Sequence, residues 1–259
     1  ADVTEFMKEY KKLNEGCTDK AKKISINTVV MKIICEGLMV APKMNCHLKF
    51  ERKLVRGKLY YHNRVNVSMP VVLPDGRMMT VNLRHMESKN LLKMTEIIND
   101  TMRRMQNTNM DEAMFEVSMD NTIKGLKKGK IKQAIYRLIG SKTGKHKVRT
   151  LKGEAKKKYY AIPEKDRITK KDIEQGTVTI SNLGSIHRNQ TGMCFLLEII
   201  PPQVTAIAVN AIRKQPTVVT DENGNDSIEI RQILPLTIAF DHKALDYCDI
   251  LPFMNRLDE

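Results

Sequence analysis

The chain contains no tryptophan, and aromatic residues make up only 5% of its 259 positions. A surface that stacks exposed bases on aromatic rings is therefore not expected, and nucleic acid is an unlikely partner. Its five cysteines, Cys17, Cys35, Cys46, Cys194 and Cys248, include no C-x-x-C pair, which argues against both a disulfide framework and a zinc site. The six histidines show no i, i+4 pair and no H-E-x-x-H, so no metal is expected. No apolar run approaches the roughly 20 residues needed to cross a bilayer. The first residues, Ala1-Asp2-Val3-Thr4-Glu5, form neither a charged leader nor an apolar signal core. These absences together lead to the expectation of a soluble, cytoplasmic protein with free thiols.

What is present is a globular composition, 41% apolar and 29% charged, in a chain long enough to bury a large core. The net charge of +14 is concentrated: residues 122–158 hold twelve lysines and two arginines against the single acid Glu154. The remainder is close to neutral, so the basic character belongs to one segment rather than to the fold.

Apolar positions Val29, Val30, Ile33, Ile34 and Leu38 follow helical spacing behind a candidate N-cap at Ser25. Residues 64–73 and 77–83 read as two strands joined by the turn residues Pro74-Asp75-Gly76. Ser88 is a candidate cap for a second long helix, whose stripe through Leu91, Met94, Ile98, Met102 and Met105 reads as core packing. Three later runs, 177–181, 204–209 and 228–240, read as strands, and Pro235 divides the last of them into two strands or a bulge. Helices mixed with hairpins, without βαβ alternation, predict an α+β fold: a mixed sheet covered by helices.

Within the basic segment, Ile123, Leu126, Ile131, Ala134, Ile135, Leu138 and Ile139 make an apolar stripe opposite lysines, broken near Gly129. Three readings stand: a helix packed on the domain with its lysines solvated, a helix lying on an anionic membrane surface, or a site for nucleic acid or an acidic partner protein, with the lack of interleaved aromatics arguing against base stacking.

The chemistry-bearing candidate is Asp241-His242-Lys243-Ala244-Leu245-Asp246, placed where the last apolar strand ends. A helix should follow, capped by Asp249 and carrying Pro252 in its first turn. A histidine at a strand end has a fixed direction and can open onto a channel, as a general base must.

The segment His242-Lys-Ala-Leu-Asp246-Tyr-Cys-Asp249-Ile-Leu-Pro-Phe253 resembles the D-H-R-x-x-D-G-x-D-x-x-x-F signature of the dihydrolipoamide acyltransferases of 2-oxoacid dehydrogenase complexes, whose fold and histidine are shared by chloramphenicol acetyltransferases. Three further matches stand in the same order. Arg64-Val-Asn-Val-Ser-Met-Pro-Val-Val-Leu-Pro-Asp-Gly76 is similar to that family's V-N-I-G-V-A-V-x-T-P-D-G hairpin, Gln175-Gly-Thr-Val-Thr-Ile-Ser-Asn-Leu-Gly184 to its G-G-T-F-T-I-S-N-L-G strand, and Ile200-Pro-Pro-Gln-Val-Thr-Ala-Ile207 to its N-P-P-Q-x-A-I-L turn.

The resemblance implies one catalytic domain over residues 1–259, lacking the family's N-terminal helix and strand and carrying a basic helical insertion at about 111–165. It implies a chloramphenicol acetyltransferase-like fold that forms a homotrimer or a larger trimer-based assembly. It implies an acyl group moved between coenzyme A and a thiol of the dihydrolipoamide type or another small acceptor, with any lipoyl group on a separate acceptor. Neutral His242 would deprotonate the thiol, Ser181 would stabilise the tetrahedral oxyanion, and Asp246 would hold the site together. Residues that bind the coenzyme are not identified. Where the family has a glycine after the aspartate this chain has Tyr247, strained if that backbone needs positive φ. That departure favours the rival reading, a catalytically retired scaffold or anionic-surface binder on the same fold; the presence of His242, Ser181 and Asp246 opposes it. Antibiotic acetylation by the same base is a third reading.

Overall fold

A computed structural model of the chain describes residues 1–19, 21–73, 76–143, 149–186, 189 and 192–259. The described chain divides into two compact units, one of 1–72, 78–98 and 175–259, the other of 73–77 and 99–174.

The first unit begins with α1 (Thr4–Leu13) and α2 (Ile26–Val40), then the hairpin β1 (Cys46–Glu51) and β2 (Arg56–Tyr61), then β3 (Val67–Val72) and β4 (Met78–Leu83). Helix α3 (Leu91–Gln106) starts in this unit and ends in the other, which adds α4 (Met110–Lys127), α5 (Ile131–Lys142), α6 (Gly153–Ala161) and the short α7 (Lys170–Ile173). The chain returns to the first unit through β5 (Val178–Asn182), the single turn α8 (Leu183–Ile186), β6 (Thr205–Val209), β7 (Arg213–Thr220), β8 (Asp226–Ile233), β9 (Leu236–Phe240) and α9 (Tyr247–Asp258).

The core of that unit is a five-stranded mixed sheet in the order β4-β3-β5-β6-β9, with β3, β5 and β6 parallel and the outer pairs antiparallel. β6 is buried at every position, the continuous apolar run expected of a parallel strand covered on both faces. Ser25 caps α2, its side chain accepting the Thr28 N–H at 3.1 Å. α2 then packs its Ile34, Cys35 and Leu38 face, all at most 1% exposed, into the core. Gly37 lets α9 approach: a Cβ there would meet the buried Phe253 ring at 2.7 Å. The α+β architecture thus agrees with the sequence pattern.

Several details differ from expectation. Ser88 lies in a 3-10 turn and donates to the His85 carbonyl. The cap of α3 is Asn90, whose carbonyl accepts from Met94 at 2.9 Å and whose side chain accepts the Lys93 N–H at 2.8 Å. Helix α9 starts three residues earlier than predicted, because Asp246 forms a capping box with Asp249. Pro252 is consequently an interior residue, not a first-turn one. Pro235 does separate two strands, β8 and β9. The turn residues Pro74 and Asp75 lie outside the described residues; β3 and β4 on either side pair antiparallel as predicted.

In the second unit α4 and α5 are separated by the turn at Gly129, which adopts φ +71°, so the predicted break of the basic helix is where glycine permits it. Glu112, fully buried, accepts the Leu151 N–H and the Tyr160 hydroxyl. Arg104 pairs with Asp172, and Arg167 with Glu116 at 3.0 Å. Those buried or half-buried charges fix the end of α3 and α4 to the 150–172 stretch; removing either partner of such a pair leaves the other uncompensated.

Candidate active site

The histidine of the motif sits in a tightly held turn. Asp241 extends the β9 pairing by donating its N–H to the Val204 carbonyl at 2.9 Å, and its own carbonyl accepts from Ala244 and Leu245 at 2.8 and 3.0 Å. Leu245 is buried, at 2% exposure, and anchors the far side of the turn. The Asp241 carboxylate accepts the Lys243 N–H at 2.9 Å and its ammonium at 3.0 Å. Burial raises the pKa of Asp241, but the Lys243 hydrogen bonds and nearby charges outweigh it and hold the carboxyl below its usual range. Between these two pinned residues the His242 side chain projects into solvent, its ring 4.7 Å from that of Phe240 and tilted by 60°.

Asp246 is exposed and is taken up by local structure: it is the N-cap of α9, and its N–H donates to the Asp249 carboxylate at 3.0 Å. Asp249 in turn accepts from Lys43 at 2.6 Å. Tyr247 occupies the first position of α9, and among the described residues only Val55 and His85 combine a side chain with positive φ. The position carries no strain, so the feature that favoured a retired active site loses its force.

Ser181 lies on β5, half-exposed, and among the described residues its hydroxyl has no hydrogen-bond partner. The register separates it from His242. Ser181 stands beside Ala208 of β6, and Ala208 beside Thr237 of β9. β9 runs against β5 and β6, so His242, five residues beyond Thr237, falls at the opposite end of the sheet. That is roughly 15 Å along the strands. One chain does not bring serine and histidine together.

At the histidine end the sheet is tied by buried polar side chains that the sequence reading left without a role. Gln203, 2% exposed, donates to the Gly176 carbonyl at 2.9 Å and to the Ser68 hydroxyl at 3.2 Å, and accepts from Thr179 at 2.6 Å. Ser68 accepts the Gly176 N–H at 2.8 Å. A side chain at Gly176 would run into the Asn66 backbone. Next to this knot opens a cavity of about 880 Å³ whose walls include His47, His62, Phe50, Gln203, Asp241 and Lys243. The His47 and His62 rings meet edge to face at 4.3 Å, and His47 Nε2 lies 3.2 Å from the Gly176 carbonyl. Burial lowers both imidazole pKa values, and for His62 the neighbouring His47 lowers it further. The shift favours the neutral form of both rings. Gln203 lay inside a recognised motif, but nothing in the sequence signalled the two histidines, fifteen residues apart in a charged stretch, which only the β1–β2 pairing brings together.

The model of the family described as 2-oxoacid dehydrogenases acyltransferase (catalytic domain) matches residues 1–119 and 145–259. The chain belongs to this family. Among curated members, the dihydrolipoyllysine-residue acetyltransferase component of the pyruvate dehydrogenase complex of Mycobacterium bovis is 35% identical over 92 residues, 34% of this chain and 16% of that protein. The corresponding component of Rickettsia bellii is 23% identical over 228 residues, 88% of this chain and 37% of that protein. The chain thus matches well under half the length of these curated relatives. Among solved structures, dihydrolipoamide acetyltransferase of Azotobacter vinelandii has a TM-score of 0.59 at 17% identity, covering 99% of this chain and 76% of that one. A probable dihydrolipoamide acetyltransferase of Listeria monocytogenes has a TM-score of 0.58 at 17% identity, covering 99% and 78%. At that identity the likeness establishes the acyltransferase-core fold. The Azotobacter work concerned the roles of a serine, a histidine and, four residues after it, an asparagine; this chain has Asp246 four residues after His242.

Proposed function

We propose that the domain transfers an acyl group between coenzyme A and a thiol of the dihydrolipoamide type, in sites completed between copies of the chain. The observation that carries this reading is the separation of His242 and Ser181 at opposite ends of one sheet. A half-exposed serine hydroxyl and an exposed, rigidly mounted imidazole, each lacking its counterpart in its own chain, fit a site shared by neighbouring subunits of a trimer or a trimer-based assembly.

In that site neutral His242 removes the proton from the acceptor thiol. The thiolate attacks the thioester carbonyl and forms a tetrahedral oxyanion, which the Ser181 hydroxyl of the neighbouring copy stabilises. Collapse expels the other thiolate, which recovers the proton from His242. Asp246 acts through position: by capping α9 it fixes the end of the turn that carries His242. The lipoyl group would arrive on a separate acceptor or domain, and coenzyme A would serve as substrate or product; no metal takes part.

The test is release of free thiol from acetyl-CoA with dihydrolipoamide as acceptor. Turnover by the native chain that disappears in His242→Ala supports the reading. No turnover with dihydrolipoamide or other thiol, hydroxyl and amine acceptors, together with no coenzyme A binding by titration, overturns it in favour of a scaffold.

A further inference from the structure

We propose that the α4–α5 hairpin is an anionic-lipid binding element that lies in the headgroup plane of a membrane. An amphipathic helix that packs on its own domain buries its apolar stripe and solvates its charges. In α5 the stripe does the opposite: Ile131, Ile135, Leu138 and Ile139 share one face and are 59, 50, 44 and 54% exposed. Among the described side chains of this helix only Ala134 is buried. The C-terminal half of α4 repeats the pattern, with Ile123 and Leu126 also exposed. The reading of a helix packed on the domain through its apolar face is thus not the one the described residues support.

The charge around that stripe selects the occupant. Lys124, Lys127, Lys128, Lys130, Lys132 and Arg137 surround it, and no acidic residue occurs anywhere between 121 and 153. At about 100° per residue, Lys132 lies beside one edge of the α5 stripe, whereas the other edge is Ala134 and Ser141 with Arg137 beyond them. An exposed aliphatic face with Lys132 at its edge and the lysines of the Lys127–Lys130 turn at its end complements a surface that offers hydrocarbon below a layer of negative charge, as an anionic bilayer does. Twelve residues make α5 roughly 18 Å long, too short to span a bilayer but suited to lying in its plane. Tyr136 is the one aromatic in this stretch, which disfavours nucleic acid. The family model leaves 120–144 unmatched, so the element is separable from the catalytic frame and the proposal does not depend on the acyl-transfer reading.

The experiment is co-sedimentation of the full chain with vesicles of phosphatidylcholine alone and of phosphatidylcholine with phosphatidylglycerol, at low and high salt. Expected are binding to the anionic vesicles only, weakening with salt, and at least about a tenfold loss in Ile135→Asp/Ile139→Asp with unchanged far-UV circular dichroism. Lys127→Glu/Lys128→Glu, which leaves the apolar stripe intact, should lose binding as well. Absence of binding to anionic vesicles by a folded chain, or equal binding to both vesicle types, overturns the proposal. So does a pair of aspartate substitutions that changes the oligomer mass while vesicle binding stays the same, which would assign the stripe to a second copy. Retention on an acidic protein or on nucleic acid without vesicle binding likewise overturns it.

Discussion

The five-stranded sheet and the α4–α5 hairpin solve opposite problems with the same kinds of residue. In the sheet, polar side chains such as Gln203, Ser68 and Thr179 are buried and each is matched by a partner, while His242 stands exposed at its end. In the hairpin, aliphatic side chains stand outside and the lysines surround them. The first arrangement is costly to disturb and fixes geometry, because an unmatched buried polar group costs about 1–3 kcal/mol. The second costs little to disturb internally and, under the proposal above, gains its energy from a membrane surface. The contrast separates where this chain stores stability from where it meets its surroundings.

The sharpest way to break that contrast is at His242, which should matter for chemistry and not for stability. His242→Ala is expected to lower kcat by about 10²–10⁴, the usual worth of a general base, with unfolding free energy changed by no more than about 0.5 kcal/mol, as for an exposed side chain. Steady-state kinetics beside a denaturant titration measure both. A smaller but more informative loss should follow Ser181→Ala, about 10²–10³ in kcat. Mixing subunits of the two inactive variants should restore part of the activity, because some interfaces then pair an intact serine with an intact histidine. If mixed oligomers form but stay inactive, the serine and histidine do not share a site between subunits.

Within the sheet the order of effects reverses. Gln203→Ala removes the partner of Thr179, Ser68 and the Gly176 carbonyl and should cost about 2–3 kcal/mol by denaturant titration, whereas Lys127→Ala in the hairpin should stay within about 0.5 kcal/mol. Asp246→Ala should cost about 1 kcal/mol through loss of the α9 cap and lower kcat with it, while Asp246→Asn, which caps equally well, should recover both. If asparagine restores stability but leaves kcat low, the carboxylate has a charge role beyond capping.

Much of this frame was legible because the physics that forms it is local or periodic. Ser25, the β3–β4 pair, the Pro235 interruption and the Gly129 break each announce themselves within a few residues. The β1–β2 ribbon is absent from the sequence reading although Cys46, Leu48 and Phe50 alternate with His47, Lys49 and Glu51, because β2 has no such alternation and 52–55 holds no turn-forming residue. The cap of α3 was placed two residues early because Ser88 and Asn90 are both good caps, and only the path of the 3-10 turn decides between them. Of the candidate site, the strand end picks out His242 only weakly, and it is the resemblance of 242–253 to the family signature that singles out His242 and Asp246. The distance between His242 and Ser181 was not visible, since it depends on β9 running against β6, a pairing made across the chain. The inverted exposure of α5 was equally hidden: periodicity identifies an amphipathic helix but not which face finds a partner.

The smallest expected effect distinguishes the two regions by pH. His47 and His62 have folded-state pKa values lowered from 6.5, by burial in both cases and by mutual repulsion in the second. A lowered pKa means the unfolded chain takes up protons first on acidification. The stability contributed by the neutral pair is therefore complete above about pH 6.5 and is lost as the pH falls below it toward the folded-state values. Asp241 and Asp172, both lowered from 3.8, begin to cost stability only at more acidic pH, so the window between about 6.5 and 5 belongs to the histidines. Melting temperature should accordingly drop between pH 7.5 and 5.5, and drop less in His47→Asn/His62→Asn, whose side chains do not titrate. The hairpin stretch 121–142 contains neither histidine nor carboxylate, so vesicle binding should hold steady across the same window. A melting temperature that falls equally with both histidines replaced would move the pH response out of the cavity lined by His47 and His62, and lipid binding that tracks it would mean the two regions do not act independently.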